Sequence, residues 1–139
     1  MEHEVAGRRA RLVLRLDPDV PPVRGDPVQL QQVLINLTLN ALDAVSASAS
    51  DREAAISTAT SNGDVEVLVS DTGPGLAAAV QERLGEPFFS TKPHGLGMGL
   101  TIVRSIVERH HGNLRAENRS VGGALFTVTL PAGEASIRS

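Results

Sequence analysis

Hydrophobic and polar residues alternate along several short stretches of the chain, which is the pattern of strands with one buried face. Elsewhere apolar residues recur every three or four positions, as they do along the buried side of a helix. The alternating pattern predicts five strands, at residues 11–16, 55–60, 65–70, 113–117 and 125–130. The longer period predicts three helices, at residues 27–45, 77–84 and 98–110.

Capping and turn residues mark where these elements begin and end. Asp26 is placed to cap the first helix, with Pro27 at its first position, and Gly112 to end the last helix. The segment Ser61-Asn62-Gly63-Asp64 favours a hairpin between two strands. The order of elements predicts an α/β (α+β) two-layer sandwich, with one mixed sheet and the helices on one face. We expect one domain at residues 9–131. A disordered or artificial N-terminal end would precede it at residues 1–8, and a C-terminal tail would follow at residues 132–139.

The first long helix contains two asparagines in a sequence otherwise suited to a hydrophobic core. Asn36, Asn40 and Asp43 fall within about 60° of one another around the helix axis. The polar stripe is either an ordinary solvated face or one wall of a cleft, where an amide oxygen could be a ligand for Mg²⁺. The helix alone leaves both interpretations open. The opposite side is apolar and is expected to pack on the sheet: Leu30, Leu34, Leu37, Ala41 and Val45.

The motif Asp71-Thr-Gly-Pro-Gly75 follows directly on a predicted strand. It is either an ordinary turn that begins with Asp, or a site where the Asp71 carboxylate accepts a hydrogen bond from an exocyclic amine such as that of adenine. In the second interpretation, the two glycines allow a ligand to approach the backbone.

A second glycine-rich motif, Gly95-Leu-Gly-Met-Gly99, leads into the last helix, whose apolar face is expected to include Ile102. Free N–H groups and the positive end of the helix dipole favour phosphate oxygens there, although a flexible hinge is the simpler alternative. Lys92 lies just upstream and is either a phosphate ligand or a solvated charge.

The composition narrows the class of protein. A length of 139 residues with 41% hydrophobic content suits one domain, and a net charge of −3 argues against a nucleic-acid partner. The chain has no cysteine, which excludes disulfides and suits the cytoplasm. No apolar run approaches the ~18 residues of a membrane span, so we expect no membrane contact by this domain.

Four motifs, taken in chain order, resemble the N, G1, F and G2 boxes of sensor histidine kinases: Asn36-Leu-x-x-Asn40-Ala, Asp71-x-Gly-x-Gly75, Glu86-Pro-Phe-Phe89 and Gly95-x-Gly-x-Gly99-Leu. These kinases belong to the GHKL ATPase superfamily, whose nucleotide-binding domain has the Bergerat fold. The resemblance covers residues 26–131. The residues within these motifs are most similar to those of the nitrogen-regulation, dicarboxylate-sensor and oxygen-sensor type of kinase.

The resemblance implies a role for each matching residue. Asn40 would hold the Mg²⁺ that bridges the ATP phosphates, and Asp71 would recognise the adenine amine. Gly73 and Gly75 would shape the adenine pocket, and Phe89 and Lys92 would lie in the mobile ATP lid. The phosphates would be wrapped by the last motif and the start of the following helix: Gly95, Leu96, Gly97, Met98, Gly99, Leu100 and Thr101.

Two positions of the first helix depart from parts of this superfamily. Asn36 occupies the place where gyrase-like and mismatch-repair ATPases have a glutamate that activates water. An amide is not a general base at neutral pH, so Asn36 favours a domain that keeps the γ-phosphate for transfer. Asp43 stands where several histidine kinases have a lysine that contacts phosphate. We expect Asp43 either to position Mg²⁺ or its waters, or to be solvated.

The resemblance implies the ATP-binding catalytic domain of a two-component sensor histidine kinase. Such a phosphotransferase passes the γ-phosphoryl of Mg-ATP to a histidine on a separate dimerisation domain, and a response regulator acts downstream. Too few residues precede the first motif for that helical domain. We therefore expect a monomeric domain with little activity of its own, cytoplasmic even if the parent protein is membrane-anchored. An anti-sigma-type serine kinase and a nucleotide-gated interaction module are the alternatives.

Overall fold

A computed structural model describes residues 2–4, 11–46, 53–73, 75 and 96–133 of the chain. Over these ranges the chain forms six strands and two helices. In chain order they are β1 (Glu2–Glu4), β2 (Arg11–Arg15), α1 (Pro27–Ser46), β3 (Glu53–Ser61), β4 (Asp64–Asp71), α2 (Leu96–Arg109), β5 (Asn113–Asn118) and β6 (Ala124–Pro131). The helix predicted at residues 77–84 lies outside the described residues.

The strands form one mixed sheet in the order β1-β2-β3-β4-β6-β5. β2 and β3 are parallel, since α1 lies between them in the chain, and every other neighbouring pair is antiparallel. The hairpin between β3 and β4 turns at Asn62 and Gly63, whose φ angles are 54° and 84°. Two left-handed residues give the type of turn that matches the twist of a hairpin, so this prediction is confirmed.

Both helices pack on the same face of the sheet and against each other. The centre of the core is formed by Leu37 and Val45 of α1, Val103 and Val107 of α2, and Phe126 of β6, each at most 2% exposed. Burying each such side chain contributes about 1.5–3 kcal/mol before the cost of ordering the chain. The predicted two-layer sandwich is confirmed.

The buried face of each helix differs in part from the prediction. Leu34 was expected in the core but is 38% exposed, because α1 is most deeply packed toward its C-terminal end, from Asn40 to Val45. Ile102 was expected on the apolar face of α2 but is 41% exposed. Ile102 lies at the edge of the buried side of α2, which is formed by Leu100, Val103 and Ile106.

The end of α2 also differs from the prediction. Gly112 was expected as the capping residue, but the left-handed residue is His111, with φ 63°. The N–H of Gly112 donates to Val107 O at 2.9 Å and that of His111 to Glu108 O at 3.0 Å, which is a Schellman motif. Glycine is required at 112 for another reason, because a Cβ there would overlap the carbonyl oxygen of Thr129.

Glu2–Glu4 pair with β2 as an antiparallel strand, where the sequence predicted a disordered end. A three-residue strand is too short to show an alternating pattern, so its order comes from backbone pairing at the edge of the sheet. Within the described part of the chain, no helix combines the length and the apolar character that a membrane span needs.

Candidate functional site

α1 is fixed at its N-terminus by a cap and by a bond to α2. Asp26 Oδ1 accepts hydrogen bonds from the N–H groups of Val28 at 2.9 Å and Gln29 at 3.3 Å, which confirms the predicted cap. The Asp26 N–H donates to His110 Nε2 at 3.0 Å, and His110 Nδ1 lies 2.8 Å from Ile106 O. Nε2 is therefore the acceptor, and Nδ1 carries the proton. This link holds the start of α1 against the end of α2.

The polar stripe of α1 is not evenly solvated. Asn40 is buried, at 9% exposed, whereas Asn36 is half-buried and Asp43 is exposed. Among the residues that the structure describes, none has a hydrogen bond to the Asn40 amide. A buried amide without a partner in the described part of the chain is a group whose desolvation costs about 1–3 kcal/mol unless it is bonded, so this position suits a ligand or an ion.

The donor set restricts the metal that Asn40 could hold. Within the described ranges, no group of three or more His, Cys, Asp or Glu side chains is arranged to bind a metal ion. One amide oxygen fits Mg²⁺, which keeps several waters and takes few protein ligands when phosphates supply the others. The described residues therefore fit Mg²⁺ bound together with a phosphate ligand, and by themselves they do not form a site that holds a metal with protein ligands alone.

Asp71 is the last residue of β4 and is 3% exposed. Its side chain lies on the face of the sheet that bears the helices, because Val69, two residues earlier, is in the core beneath them. Its Oδ1 accepts hydrogen bonds from the Gly73 N–H at 2.9 Å and the Ala124 N–H at 3.3 Å. The motif is thus a turn that begins with Asp, but one whose carboxylate is buried, which a surface turn does not require.

The turn after Asp71 is tied to β3 and pressed against α1. The Thr72 N–H donates to Glu53 O at 3.0 Å, and Thr72 Oγ1 accepts from the Glu53 N–H at 2.9 Å. A Cβ on Gly73 would lie 2.8 Å from the carbonyl oxygen of Ala44 in α1. Ala44 is one helical turn beyond Asn40, so the Asp71 turn packs on α1 one turn away from the residue with the buried amide.

Gly75 and the β5–β6 turn complete the surroundings of Asp71. Gly75 has φ 85°, and a Cβ there would lie 2.8 Å from Asn118 Oδ1. Gly123 has φ 94°, and a Cβ there would overlap the carbonyl oxygen of Asp71. The glycines of both segments therefore permit close approach between parts of the protein, whereas the sequence argument assigned Gly73 and Gly75 to approach by a ligand.

Sequence reasoning missed two contacts to Asp71. The Ala124 N–H bonds to its carboxylate, and the Arg119 guanidinium donates through Nη1 to its backbone carbonyl at 2.8 Å. Both residues are about 50 positions away in the chain. The Ala124 donor is a backbone group, which leaves no side-chain signature, and the Arg119 donor meets a backbone carbonyl, which leaves none at Asp71. The pair Gly122-Gly123 between two predicted strands was the one available signal of a close approach.

The second glycine-rich motif is described only in part. Residues 96–99 form the first turn of α2, which begins two residues before the predicted start. Leu100 is buried at 5% exposed, and Thr101 is half-buried. Phe89, Lys92 and Gly95 lie outside the described residues, so the predicted lid and the first glycine of the motif stay predictions.

Comparison with known proteins gives a family. Residues 25–134 match the family model of histidine kinase-, DNA gyrase B- and HSP90-like ATPases. The sensor protein FixL of Bradyrhizobium diazoefficiens is 44% identical over 133 residues, which are 94% of this chain and 26% of FixL. The chain thus spans about a quarter of the length of this relative.

Solved structures agree with that match. The catalytic domain of the histidine kinase ThkA superposes with a TM-score of 0.75 at 33% identity, over 86% of this chain and 77% of that one. ThkA has also been solved in complex with the response regulator TrrA. Full-length ShkA in complex with AMPPNP gives a TM-score of 0.74 at 27% identity, over 91% of this chain and 27% of ShkA. With its motifs, its fold and these relatives in agreement, the chain belongs to the family of histidine kinase-, DNA gyrase B- and HSP90-like ATPases, and its resemblance to the catalytic domains of sensor histidine kinases is confirmed.

Proposed function

We propose that this domain binds Mg-ATP in the cleft between α1 and the end of β4, and presents the γ-phosphoryl to a histidine on a separate dimerisation domain. The observation that carries the proposal is the burial of two polar side chains, the carboxylate of Asp71 and the amide of Asn40, on two elements that pack against each other. Each is a polar group in a place where an apolar residue would be the stable choice. Together they match the two ends of a nucleotide, an amine-bearing base and a metal-bound phosphate.

Asp71 recognises the base. A carboxylate accepts about four hydrogen bonds in total, so an exocyclic amine can be accommodated beside the two backbone amides that bond to Oδ1. Those amides fix the plane of the carboxylate. A fixed acceptor distinguishes adenine, which has an amine at its six-membered ring, from a base with a carbonyl there, because the carbonyl would leave the buried acceptor without its donor.

Asn40 would hold Mg²⁺ through its amide oxygen, and the bound ion would supply positive charge to the phosphates. The glycine-rich motif and the first turn of α2 supply backbone N–H groups to the phosphates, since the first N–H groups of a helix have no partner within it. Asp43 is exposed on the next turn of α1, from which its carboxylate would orient water around a bound metal. Phe89 and Lys92 would belong to the ATP lid, as the resemblance to sensor histidine kinases implies.

Phosphoryl transfer is favoured over hydrolysis because position 36, one helical turn before the proposed metal ligand, carries an amide instead of a base that could activate water. Asn36 is half-buried on the same stripe of α1 as Asn40, and its amide cannot take a proton from water. The domain contributes positioning and charge neutralisation, which are the main terms in phosphoryl transfer.

The partners follow from this chemistry. The acceptor is the histidine of a dimerisation domain in the parent protein, and a response regulator receives the phosphoryl afterwards, as the ThkA–TrrA complex suggests. The isolated domain is a monomer that works in the cytoplasm, where the absence of cysteine is suitable. Its net charge of −3 does not favour nucleic acid as a partner.

A transfer assay tests the proposal. The domain is mixed with labelled ATP, with and without Mg²⁺ and the histidine-bearing domain of the parent protein. We expect acid-labile phosphohistidine on the acceptor only when Mg²⁺ is present, and negligible label on the domain alone. Asn40→Ala should reduce transfer at least tenfold, whereas Asn113→Ala, on the exposed edge strand β5, should not.

The other outcomes are equally informative. Label on a serine would favour the anti-sigma-type kinase. Nucleotide binding without any transfer to a folded acceptor domain would favour an interaction module.

A further inference from the structure

The turn between β5 and β6 lies against the residue proposed to recognise the base. It is closed by the Gly122 N–H, which donates to Arg119 O at 3.1 Å, and by the Arg119 N–H, which donates to Gly123 O at 2.9 Å. Gly122 and Gly123 both have positive φ angles, 104° and 94°. This tight turn fixes where the Arg119 side chain begins.

The ladder between β4 and β6 ends just before Asp71. The last pair in register is Ser70 with Leu125. Beyond it, the Ala124 N–H donates to the Asp71 side chain instead of continuing the backbone ladder. The backbone carbonyl of Asp71 accepts a hydrogen bond from Arg119 Nη1 at 2.8 Å. Arg119 thus supplies a donor to the carbonyl at the point where Asp71 turns its carboxylate into the cleft.

The hydrogen bond from Arg119 to the Asp71 carbonyl contributes to the stability of this end of β4. A buried carbonyl that loses its donor costs about 1–3 kcal/mol, and a guanidinium is a stronger donor than a neutral amide. Arg119 is half-buried, so its charge is screened less than that of a fully exposed side chain. Its removal would take a donor from the Asp71 carbonyl and loosen the end of β4, and so weaken the restraint on the orientation of the carboxylate that accepts from Gly73 and Ala124.

We propose that Arg119 is a positioning residue for base recognition, acting through the backbone of Asp71 without touching the nucleotide. The inference rests on the proposed function of the cleft. It assigns the β5–β6 turn to the selectivity of the base end of the site. Because Asn40 and Mg²⁺ lie at the phosphate end, the effect of Arg119 should be independent of the metal.

Nucleotide affinities of the folded domain test this role. The affinities of AMPPNP, ADP and inosine triphosphate are measured by calorimetry for the wild type, Arg119→Ala and Arg119→Lys. Arg115→Ala is the matched control, since Arg115 is exposed on β5. In Arg119→Ala, AMPPNP and ADP should each bind about tenfold more weakly, because both carry adenine. Inosine triphosphate lacks the amine and should change little, so the preference for adenine shrinks.

The conservative variant separates positioning from general packing. Arg119→Lys keeps a charged donor and should restore adenine affinity to within about threefold of the wild type. Arg115→Ala should bind as the wild type does. Hydrogen exchange without nucleotide adds a second readout, in which the Gly73 amide should exchange faster in Arg119→Ala, because its bond to Oδ1 depends on the orientation of the carboxylate.

The outcomes distinguish this inference from the proposed function. A wild type that shows no preference for adenine nucleotides overturns the proposed function, whatever Arg119 does. A wild type that prefers adenine, while Arg119→Ala keeps both its affinity and its slow Gly73 exchange, overturns the role of Arg119 alone. Equal losses for adenine and inosine nucleotides, or a failure of lysine to restore binding, would show a structural role and overturn it as well.

Discussion

The backbone N–H of Asp26, at the start of α1, donates a hydrogen bond to Nε2 of His110, which follows α2 and lies 84 residues later. The bond joins the two helices at the ends opposite those proposed to hold the nucleotide phosphates. Replacing His110 by alanine removes this acceptor and the contact of Nδ1 with Ile106 O. We expect His110→Ala to lower the free energy of unfolding by about 1–2 kcal/mol, measured by urea denaturation.

The neighbouring histidine provides a control of opposite sign. His111 has φ 63°, a left-handed conformation that glycine adopts without steric cost. His111→Gly should leave the stability unchanged or raise it by up to about 1 kcal/mol. Equal destabilisation by both changes would contradict the account of how α2 ends.

Gly122 and Gly123 form a second matched pair. Both have positive φ angles, but a Cβ on Gly122 would meet nothing within 4 Å, whereas one on Gly123 would overlap the carbonyl oxygen of Asp71. Gly122→Ala should cost about 1 kcal/mol. Gly123→Ala should cost at least about 2 kcal/mol more and weaken AMPPNP binding, because the carbonyl of Asp71 must move. Thermal unfolding and calorimetry together measure the two effects, and similar results for both variants would exclude the close contact.

Leu37 and Leu34 test which side of α1 is buried. Leu37 is fully buried, and Leu34 is 38% exposed. Leu37→Ala should lower the free energy of unfolding by about 2–5 kcal/mol, as truncations in a packed core do. Leu34→Ala should lower it by less than about 1 kcal/mol. A reversed order would mean that α1 is rotated relative to the sheet.

Asn36 tests why the proposed chemistry stops short of hydrolysis. Asn36→Glu places a carboxylate beside the proposed metal site, and a positioned base accelerates proton transfer by about 10²–10⁴-fold in favourable cases. We expect ATP hydrolysis by the isolated domain to rise at least tenfold. Asn36→Gln has a similar length but no basicity and should leave hydrolysis at the level of the wild type. Phosphate release measures both variants, and no difference between them would remove the proposed reason for slow hydrolysis.

Local sequence was sufficient for much of the fold. Alternation over β3 and β4, with Asn62-Gly63 between them, predicts their hairpin because the turn type and the strand period are both local properties. Asp26 and Pro27 likewise specify the start of α1. The motifs identified Asn40 and Asp71 as polar residues in apolar surroundings, and both are buried.

The rest depends on contacts between distant parts of the chain. The pair Gly122-Gly123 indicates a close approach, but nothing near it identifies Asp71 as the partner of Ala124 and Arg119. Likewise, nothing near His110 indicates Asp26. The exposure of Leu34 follows from the depth at which each part of α1 packs on the sheet, which helical periodicity does not contain. The sequence predicted that Gly112 would end α2. The left-handed residue is His111 instead, because the hydrogen bonds of the Schellman motif form around it.

The central claim is that the buried carboxylate of Asp71 recognises the adenine amine. Asp71→Asn keeps one oxygen for the backbone amides but replaces the other by an NH₂ group, which cannot accept from an amine. Asp64→Asn makes the same chemical change at the opposite end of β4. With Mg²⁺ present, calorimetry should show AMPPNP binding to Asp71→Asn at least tenfold more weakly than to the wild type, and to Asp64→Asn equally well. Equal affinity of Asp71→Asn and the wild type for AMPPNP would contradict the claim.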